Sequence, residues 1–385
     1  MNMQTSSPIT VSRVTDKAEL QRFIRLPERL HANDPTYIAP LHMERNDALS
    51  TEKNPYFTHA EAVYFLAIRD GRDVGRITAQ IDHEALKLEP GIGHFGMLAA
   101  EDDPAIFQAL IDAAEAWLIE RGMTDIRGPL NLSTNEETGL LIDGFDSPPM
   151  LLMGHDLPYV GPRLEQSGFA KVKDVVAYLY DTRGELPESA KRLIKRALHP
   201  SMVLRPMDWN RYEEEIKSVT EIFNDAWSGN WGFVPLIKAE TEHMAKALKP
   251  LLDKKLVWFV EIEGEVAGFI VALPNLNEAI RDLRGKLFPF GWLKLLWRLK
   301  VSGVKTARVP LMGVRRRYAT SLMGGLIPFL LIDAARRGSL EKGFTQMELS
   351  WILEDNKPMR KIIETLGAKT YKTYRVYQKS LGKAS

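Results

Sequence analysis

Apolar and polar positions follow the same order in two separate stretches of the chain. VYFLAIRDGRDVGRITAQI (63–81) and VWFVEIEGEVAGFIVALP (257–274) each predict two strands, with D-G or E-G making the tight turn between them. A helical period then takes over in each half. LIDAAEAWLIERGMTDIRG, starting at Leu110, aligns without gaps on LIDAARRGSLEKGFTQMEL, starting at Leu331. Both predict a helix, a glycine stop (Gly122, Gly343) and the start of a strand. Next, YVGPRLEQSGFAKVKDVVAYLYD (159–181) and NKPMRKIIETLGAKTYKTYRVYQK (356–379) each predict a helix, a glycine and a final strand. Three matches in one order mean a duplicated domain. The expected division is 1–185 for the first copy, 186–200 for a connector and 201–385 for the second copy.

One stretch breaks this regularity. FPFGWLKLLWRLK (288–300) puts two Phe, two Trp and four Leu beside Lys294, Arg298 and Lys300. On a helix, Lys294 and Arg298 share a narrow stripe while Trp292, Leu293, Leu295, Leu296 and Leu299 cover a wide apolar arc. That is either a buried core helix or one lying in a membrane interface. Net charge is only +1, yet ten basic residues and no acidic one fall between Asp282 and Asp333. Such a block, with the insertion 283–305 inside it, attracts phosphates or anionic lipid. The face expected to meet an anionic membrane runs over 286–300, and no nucleic acid is expected.

Composition narrows the chemistry. The 385 residues contain no cysteine, which excludes disulfides, thiolate nucleophiles and Cys-ligated metals. His42, His59, His83 and His94 lack metal-ligand spacing, so no metal is expected. The first twenty residues have no secretory h-region and no apolar run is long enough to span a bilayer, so the expected location is the cytoplasm, at most peripheral to the inner face of the membrane.

The order within each copy is helix, hairpin, strand, helix, strand, helix, strand, and it resembles the GNAT N-acyltransferases. RVPLMGV (308–314) looks like the central strand of that fold, a helix from about Leu322 to Arg337 follows, and MELSWILEDN (347–356) looks like the next strand. A weaker resemblance is to the tandem-GNAT proteins that include bacterial ceramide synthases. The resemblance implies a mixed α/β fold, with two GNAT-like domains, each a mixed central sheet flanked by helices. It also implies an N-acyltransferase that uses acyl-CoA as co-substrate, with no permanently bound cofactor. The acceptor would be an amine, lipidic in view of 288–300. A soluble enzyme acting on a small or aminoacyl amine, or a non-catalytic binding protein, are the alternatives.

The second copy's strand-to-helix turn, GVRRRYATSLMGG (313–325), offers Met312, Gly313, Val314, Arg315, Arg316, Arg317, Ser321, Gly324 and, beyond the next strand, Asn356 to hold CoA. Ala319 and Leu322 stand where the family's usual R/Q-x-x-G-x-G/A pattern has Arg or Gln and its first Gly. In the first copy, Glu101, Asp102 and Asp103 stand at the corresponding helix start and would repel phosphates, so that copy is expected to bind no CoA and to wall the acceptor site. Glu354 and Asp355 are candidate bases, Asp355 being equally a candidate N-cap. Glu136, in the polar run NLSTNEET (131–138), is either catalytic or part of a solvated turn, and His155 is either a base or structural. Ile363 and Leu164 occupy the place of the tyrosine acid that many family members carry; Tyr371, Tyr374 and Tyr377 lie on or near the strand that follows.

Overall fold

The computed structural model describes residues 7–198, 200–319, 321 and 324–382. In chain order the first half gives β1 (Thr10–Arg13), α1 (Lys17–Leu30), α2 (His42–Ala48), β2 (Ala60–Arg69), β3 (Arg72–Asp82), α3 (His83–Leu88), β4 (Ile92–Ala100), α4 (Pro104–Ile119), β5 (Asp125–Gly128), β6 (Leu130–Asn131), β7 (Glu137–Thr138), β8 (Leu140–Asp143), α5 (Val160–Gln166) and β9 (Ala170–Asp181). The second half gives α6 (Glu188–Ala197), β10 (Met202–Pro206), α7 (Tyr212–Trp227), α8 (Lys238–Leu248), β11 (Val257–Ile262), β12 (Glu265–Pro274), α9 (Leu276–Ile280), α10 (Gly291–Trp297), β13 (Thr306–Val314), α11 (Arg316–Ala319), α12 (Ile327–Glu341), β14 (Gln346–Leu353), α13 (Lys357–Thr365) and β15 (Lys369–Ser380).

Local chemistry accounts for the repeated outline. Both hairpins turn on two left-handed residues, Asp70-Gly71 and Glu263-Gly264, which matches the twist of the strands they join. Asp103 caps α4 by accepting from the Ala105 N–H at 2.9 Å, and Asn356 caps α13 by accepting from Met359 at 3.2 Å. The helix expected from Leu322 begins later, at Ile327; Leu322 itself and Thr320 lie outside the described residues.

The chain folds as two compact units. One comprises the chain up to Asp174, Arg281–Leu287 and everything from Thr373. Its sheet runs β1-β2-β3-β4-β5 and continues onto residues 373–380 of β15, with β8 also paired to β15. All pairs are antiparallel except β4 with β5. Ile106, Leu110, Ile111 and Leu118 of α4 pack on Ile77, Ala79, Phe95 and Leu98, and Tyr377 of β15 joins that core.

The other unit comprises Val175–Ile280 and Phe288–Lys372. Its strands lie in the order β9 (from Val175), β14, β13, β12, β11, β10, parallel only between β13 and β14. Its core forms where α12 covers Ile270, Ala272, Val309, Met347 and Leu349.

The expected division at 1–185, 186–200 and 201–385 therefore needs redrawing. Each copy's last strand hydrogen-bonds mainly within the other unit, because ladder partners and not chain order decide membership. The expected connector carries α6, whose Ala190 and Ala197 are buried in the second unit's core. The insertion 283–305 is divided as well, with Arg281–Leu287 in the first unit.

A fragment of residues 1–185 lacks the strand that supplies Tyr374, Val376 and Tyr377, all at most 1% exposed. Loss of a buried aromatic alone costs about 3–5 kcal/mol. The fragment is expected to show no cooperative urea transition by circular dichroism. A cooperative transition like that of the full chain would refute the exchange of strands.

Candidate functional site

The second unit carries an opening in its sheet. β13 and β14 pair in parallel from Thr306↔Gln346 to Val309↔Leu349 and no further. Beyond that point Leu311–Gly313 pair with β12, while Ile352 and Leu353 pair with β9. Pro310 stands at the divergence with no ladder partner on either side, and it has no N–H to offer one. Just below, Arg308 and Glu348 are 2% and 0% exposed and form an ion pair at 3.2 Å. Ser350 Oγ accepts from Arg308 Nε at 2.9 Å and donates to Glu348 Oε1 at 2.6 Å, while Tyr371 OH donates to Glu348 Oε2. The next residue, Trp351, lies under the Arg308 guanidinium, and its buried indole N–H has no acceptor among the described residues.

Beside this opening is an apolar cavity. α7 and α8 roof it with Val219, Phe223, Met244 and Leu248, and the sheet floors it with Phe259, Val271 and Leu311. Leu311 is the residue after Pro310, so the cavity reaches the divergence of the strands.

The residues expected to hold CoA lie on one connection, with partners of their own. Met312, Gly313 and Val314 are in β13. Arg315 donates to the Val266 carbonyl at 2.9 Å and pairs with Glu221 at 3.2 Å. The Arg316 N–H donates to Asp225 at 2.7 Å and its guanidinium to Ser228, and Arg317 pairs with Glu265. Acidic residues from α7 and β12 thus meet the basic block that contains no acid of its own. Ser321 Oγ accepts from the Gly324 N–H at 2.9 Å, and a Cβ on Gly324 would overlap the Tyr318 carbonyl, which explains the glycine. Glu354 is half-buried and Asp355 exposed at the end of β14. Asn356, not Asp355, caps α13, so the capping role open to Asp355 passes to its neighbour and Asn356 has a structural task.

The 288–300 stretch is not a core helix. Leu295 and Leu299 pack on the second unit's core and Arg298 donates to the Ala279 carbonyl at 2.7 Å. Phe288, Phe290 and Trp297 are 69%, 74% and 60% exposed, with Trp292, Leu293, Leu296 and Val301 exposed beside them. The stretch joins β12 to the start of β13, the end where the parallel pair is closed.

The first unit differs at the equivalent place. β4 and β5 pair from Ile92↔Asp125 to His94↔Arg127, and the chain after β5 then stays against β4. Asn131 Oδ1 accepts from the Met97 N–H at 2.7 Å, and Gln80 Nε2 donates to the Leu130 and Leu132 carbonyls. Glu101, Asp102 and Asp103 at the start of α4 are engaged by Arg29, Arg163 and Arg69.

The first unit's chemistry lies in a cluster built from the end of α1, α2, β6, β7 and the loop before α5. Glu137 pairs with Arg45 and accepts from Asn131 at 2.6 Å. Burial raises the Glu137 carboxyl, but the Arg45 charge and these hydrogen bonds outweigh it and hold it below its ordinary value. Asp156 accepts from the Leu141 N–H at 2.9 Å, and burial pushes its carboxyl up to about 7. A carboxyl near neutrality beside a fixed carboxylate can take up or release a proton and can bind a cationic group. The expected residues Glu136 and His155 are each the chain neighbour of one of these two. Nothing local in the sequence marks Glu137 over Glu136 or Asp156 over His155. His155 Nε2 is 2.8 Å from Asp34 Oδ2.

Comparison with known proteins follows from this geometry. No family model matches the chain. Two solved structures share its fold: a tandem GNAT protein from the clavulanic acid biosynthesis pathway, at TM-score 0.58 and 12% identity over 98% of this chain and 100% of that one, and a GCN5-related N-acetyltransferase from Sphaerobacter thermophilus, at TM-score 0.55 and 12% identity over 98% and 97%. The fold is therefore that of the tandem GNAT N-acyltransferases. The chain is 56% identical over 379 residues, 98% of its length and 99% of the relative's, to the bacterial ceramide synthase of Caulobacter vibrioides, and 45% identical, over 95% and 94%, to the protein YghO of Escherichia coli. It belongs to the bacterial ceramide synthase family, and fold and family together support an N-acyltransferase. No helix among the described residues is long and apolar enough to cross a membrane.

Asp156 sets a pH signature. Between its ordinary value of 3.8 and about 7 the folded chain keeps a proton that the unfolded chain has released. Its contribution to stability is therefore largest below that window, falls as pH rises through it and levels off above about 7. Asp156→Asn removes this fall. The variant is expected to gain on the parent from pH 4 to pH 7.5, by up to a few kcal/mol in urea unfolding since each shifted pKa unit is about 1.4 kcal/mol. Parallel pH profiles for the two proteins would contradict the assignment.

Proposed function

We propose that the chain transfers a fatty acyl group from acyl-CoA to the amine of a lipidic, long-chain acceptor, at the surface of an anionic membrane. The observation that carries this reading is the apolar cavity at the divergence of β13 from β14. The pantetheine arm enters where the strands part, with the thioester near Pro310, and the alkyl chain runs on over Leu311 beneath α7 and α8. The lining is almost wholly apolar and runs from Leu311 up to Met244 and Leu248, which suits an alkyl chain better than an acetyl group. The Caulobacter relative's name points the same way, since a ceramide is the amide of a fatty acid with a long-chain amine.

In the transfer, the amine nitrogen attacks the thioester carbonyl, the C–N bond forms, the C–S bond breaks and the thiolate leaves. One proton leaves the nitrogen and one joins the sulfur. Trp351 brings a buried N–H without an acceptor among the described residues to the opening, suited to the carbonyl oxygen. Glu354, half-buried at the end of β14, is the base proposed for the amine, with Asp355 beside it. Arg316 and Arg317 are exposed and would hold CoA phosphates by exchanging their carboxylate partners, which lowers the net gain from each. The exposed aromatic residues of 288–301 are the proposed membrane contact, with Lys300 at about 1 kcal/mol near anionic headgroups.

Val219→Phe, which narrows the cavity from α7, tests the chain site. Its kcat/KM for long acyl-CoA donors is expected to fall at least tenfold relative to short ones, since lost burial amounts to about 0.8 kcal/mol per CH2. An unchanged chain-length profile in a folded variant would exclude the cavity as the acyl site.

Trp292→Ser/Trp297→Ser tests the membrane contact. Both side chains are substantially exposed, so the melting temperature is expected to hold within a few degrees while binding to anionic vesicles drops severalfold and binding of the parent weakens with salt. A parent that ignores such vesicles in a sedimentation assay would remove this part of the proposal.

A further inference from the structure

Three residues far apart in sequence meet in the first unit, at the end of α1. His31 closes the helix and is 6% exposed, Asp34 lies in the turn that follows, and His155 arrives from the loop before α5. Asp34 Oδ2 is 3.2 Å from His31 Nδ1 and 2.8 Å from His155 Nε2, and the three atoms all lie within 4.8 Å of one another. Thr36 Oγ1 is also 3.2 Å from His155 Nε2 and donates to the other oxygen of Asp34 at 2.6 Å.

From this arrangement we infer that His31 Nδ1, Asp34 Oδ2 and His155 Nε2 are the protein ligands of a divalent, zinc-class cation. Two imidazole nitrogens and a carboxylate oxygen are the donor set such ions favour, and three protein ligands leave a fourth position for water or a ligand oxygen. The spacing fits. At about 2.0–2.2 Å from a tetrahedral zinc, donor atoms stand roughly 3.4 Å from one another, so the two Asp34–histidine separations need only small outward movements. The Asp34 Oδ1 bonds to the Thr36 N–H and hydroxyl leave Oδ2 to face the two rings. Stacking on Tyr37, with ring centres 4.2 Å apart, fixes the plane of the His31 ring.

Electrostatics are compatible with this. Burial pulls His31 down to about 4, so its ring is neutral at physiological pH, as a metal ligand must be. Asp34 is held below its ordinary value because the Thr36 and histidine hydrogen bonds outweigh the effect of burial. His155 and Arg76 also act on His31, and the Arg76 charge opposes a cation; Tyr37, stacked on the ring, is kept protonated by burial, which pushes it up to about 12. Arg45 adds a second positive charge to this cluster; Glu137 acts against both and Asp156 against Arg76. The expectation of no metal had considered His42, His59, His83 and His94; the ligating pair is instead the two histidines that the fold brings together across the unit. The ion would pin the end of α1 to the loop that carries Asp156, the group poised near neutrality.

The inference stands apart from the proposed acyl transfer, and its test needs no substrate. Full-length protein stripped with a strong chelator and dialysed is titrated with Co²⁺ and followed by visible absorption, with metal content and melting temperature measured on Zn²⁺ addition. The expected result is one ion per chain, a ligand-field band and a rise in melting temperature. His31→Gln and His155→Gln are each expected to weaken binding by more than the 10–100-fold that loss of a group merely hydrogen-bonded to a ligand costs. His83→Gln, on an exposed residue, is expected to change nothing. No band and no thermal shift with the parent would overturn the site and leave Asp34 as a carboxylate hydrogen-bonded by two imidazoles. Equal binding by the folded His31 and His155 variants would overturn it too.

Discussion

The parting of β13 and β14 rests on one residue and one buried pair. Pro310 has no N–H to donate: the β14 ladder ends just before it at Val309, while the β12 ladder passes it only with a register shift. Below it the two strands must be held together firmly or the opening would spread down the sheet. Arg308 and Glu348 do this from inside the protein, with Ser350 and Tyr371 completing the hydrogen bonds of the carboxylate. An ion pair so deeply buried gains little net stability from its formation, but removing one partner strands the other at a cost of about 3–5 kcal/mol. The pair therefore fixes where the sheet opens. The cavity, the Trp351 N–H and the loop of arginines are all positioned from there.

The two units divide their tasks by what fills the equivalent place. In the first, the chain from Pro129 to Leu132 stays against β4 and is held by Gln80 and by the Met97 N–H. In the second, the strands part and an apolar space lies beside the gap. Duplication supplied two similar sheets, and a few residues after the parallel pair decided which could open. The exchange of final strands gives each unit the last strand in its order from the other copy's sequence, so neither copy's sequence completes its own sheet.

Periodicity was enough to place the repeated elements, and the fold class followed from the family resemblance they carry. The turns at Asp70-Gly71 and Glu263-Gly264, the stops at Gly122 and Gly343 and the final strands all lie where local patterning put them, because each depends on residues within a few positions. Membership of the final strands was not readable, since β9 and β15 carry the same kind of pattern and only long-range pairing distinguishes their partners. The basic block shows the same limit: its charge was legible, but the carboxylates of Glu221, Asp225 and Glu265 that meet it come from elsewhere in the chain. In the first unit the expected residues Glu136 and His155 adjoin Glu137 and Asp156, whose shifted carboxyls depend on Arg45 from α2 and on burial, and both are properties of the folded chain.

The central claim is that the second unit holds the acyl chain between α7, α8 and the sheet. Photolabelling tests it most directly: a long-chain acyl-CoA carrying a diazirine near the end of its alkyl chain is bound, irradiated and mapped by mass spectrometry. The account predicts adducts on α7, α8 and the β12–β13 segment, around Val219, Met244, Val271 and Leu311, suppressed by excess unlabelled acyl-CoA. Competed labelling confined to the first unit, or to the exposed 288–301 stretch, would contradict it.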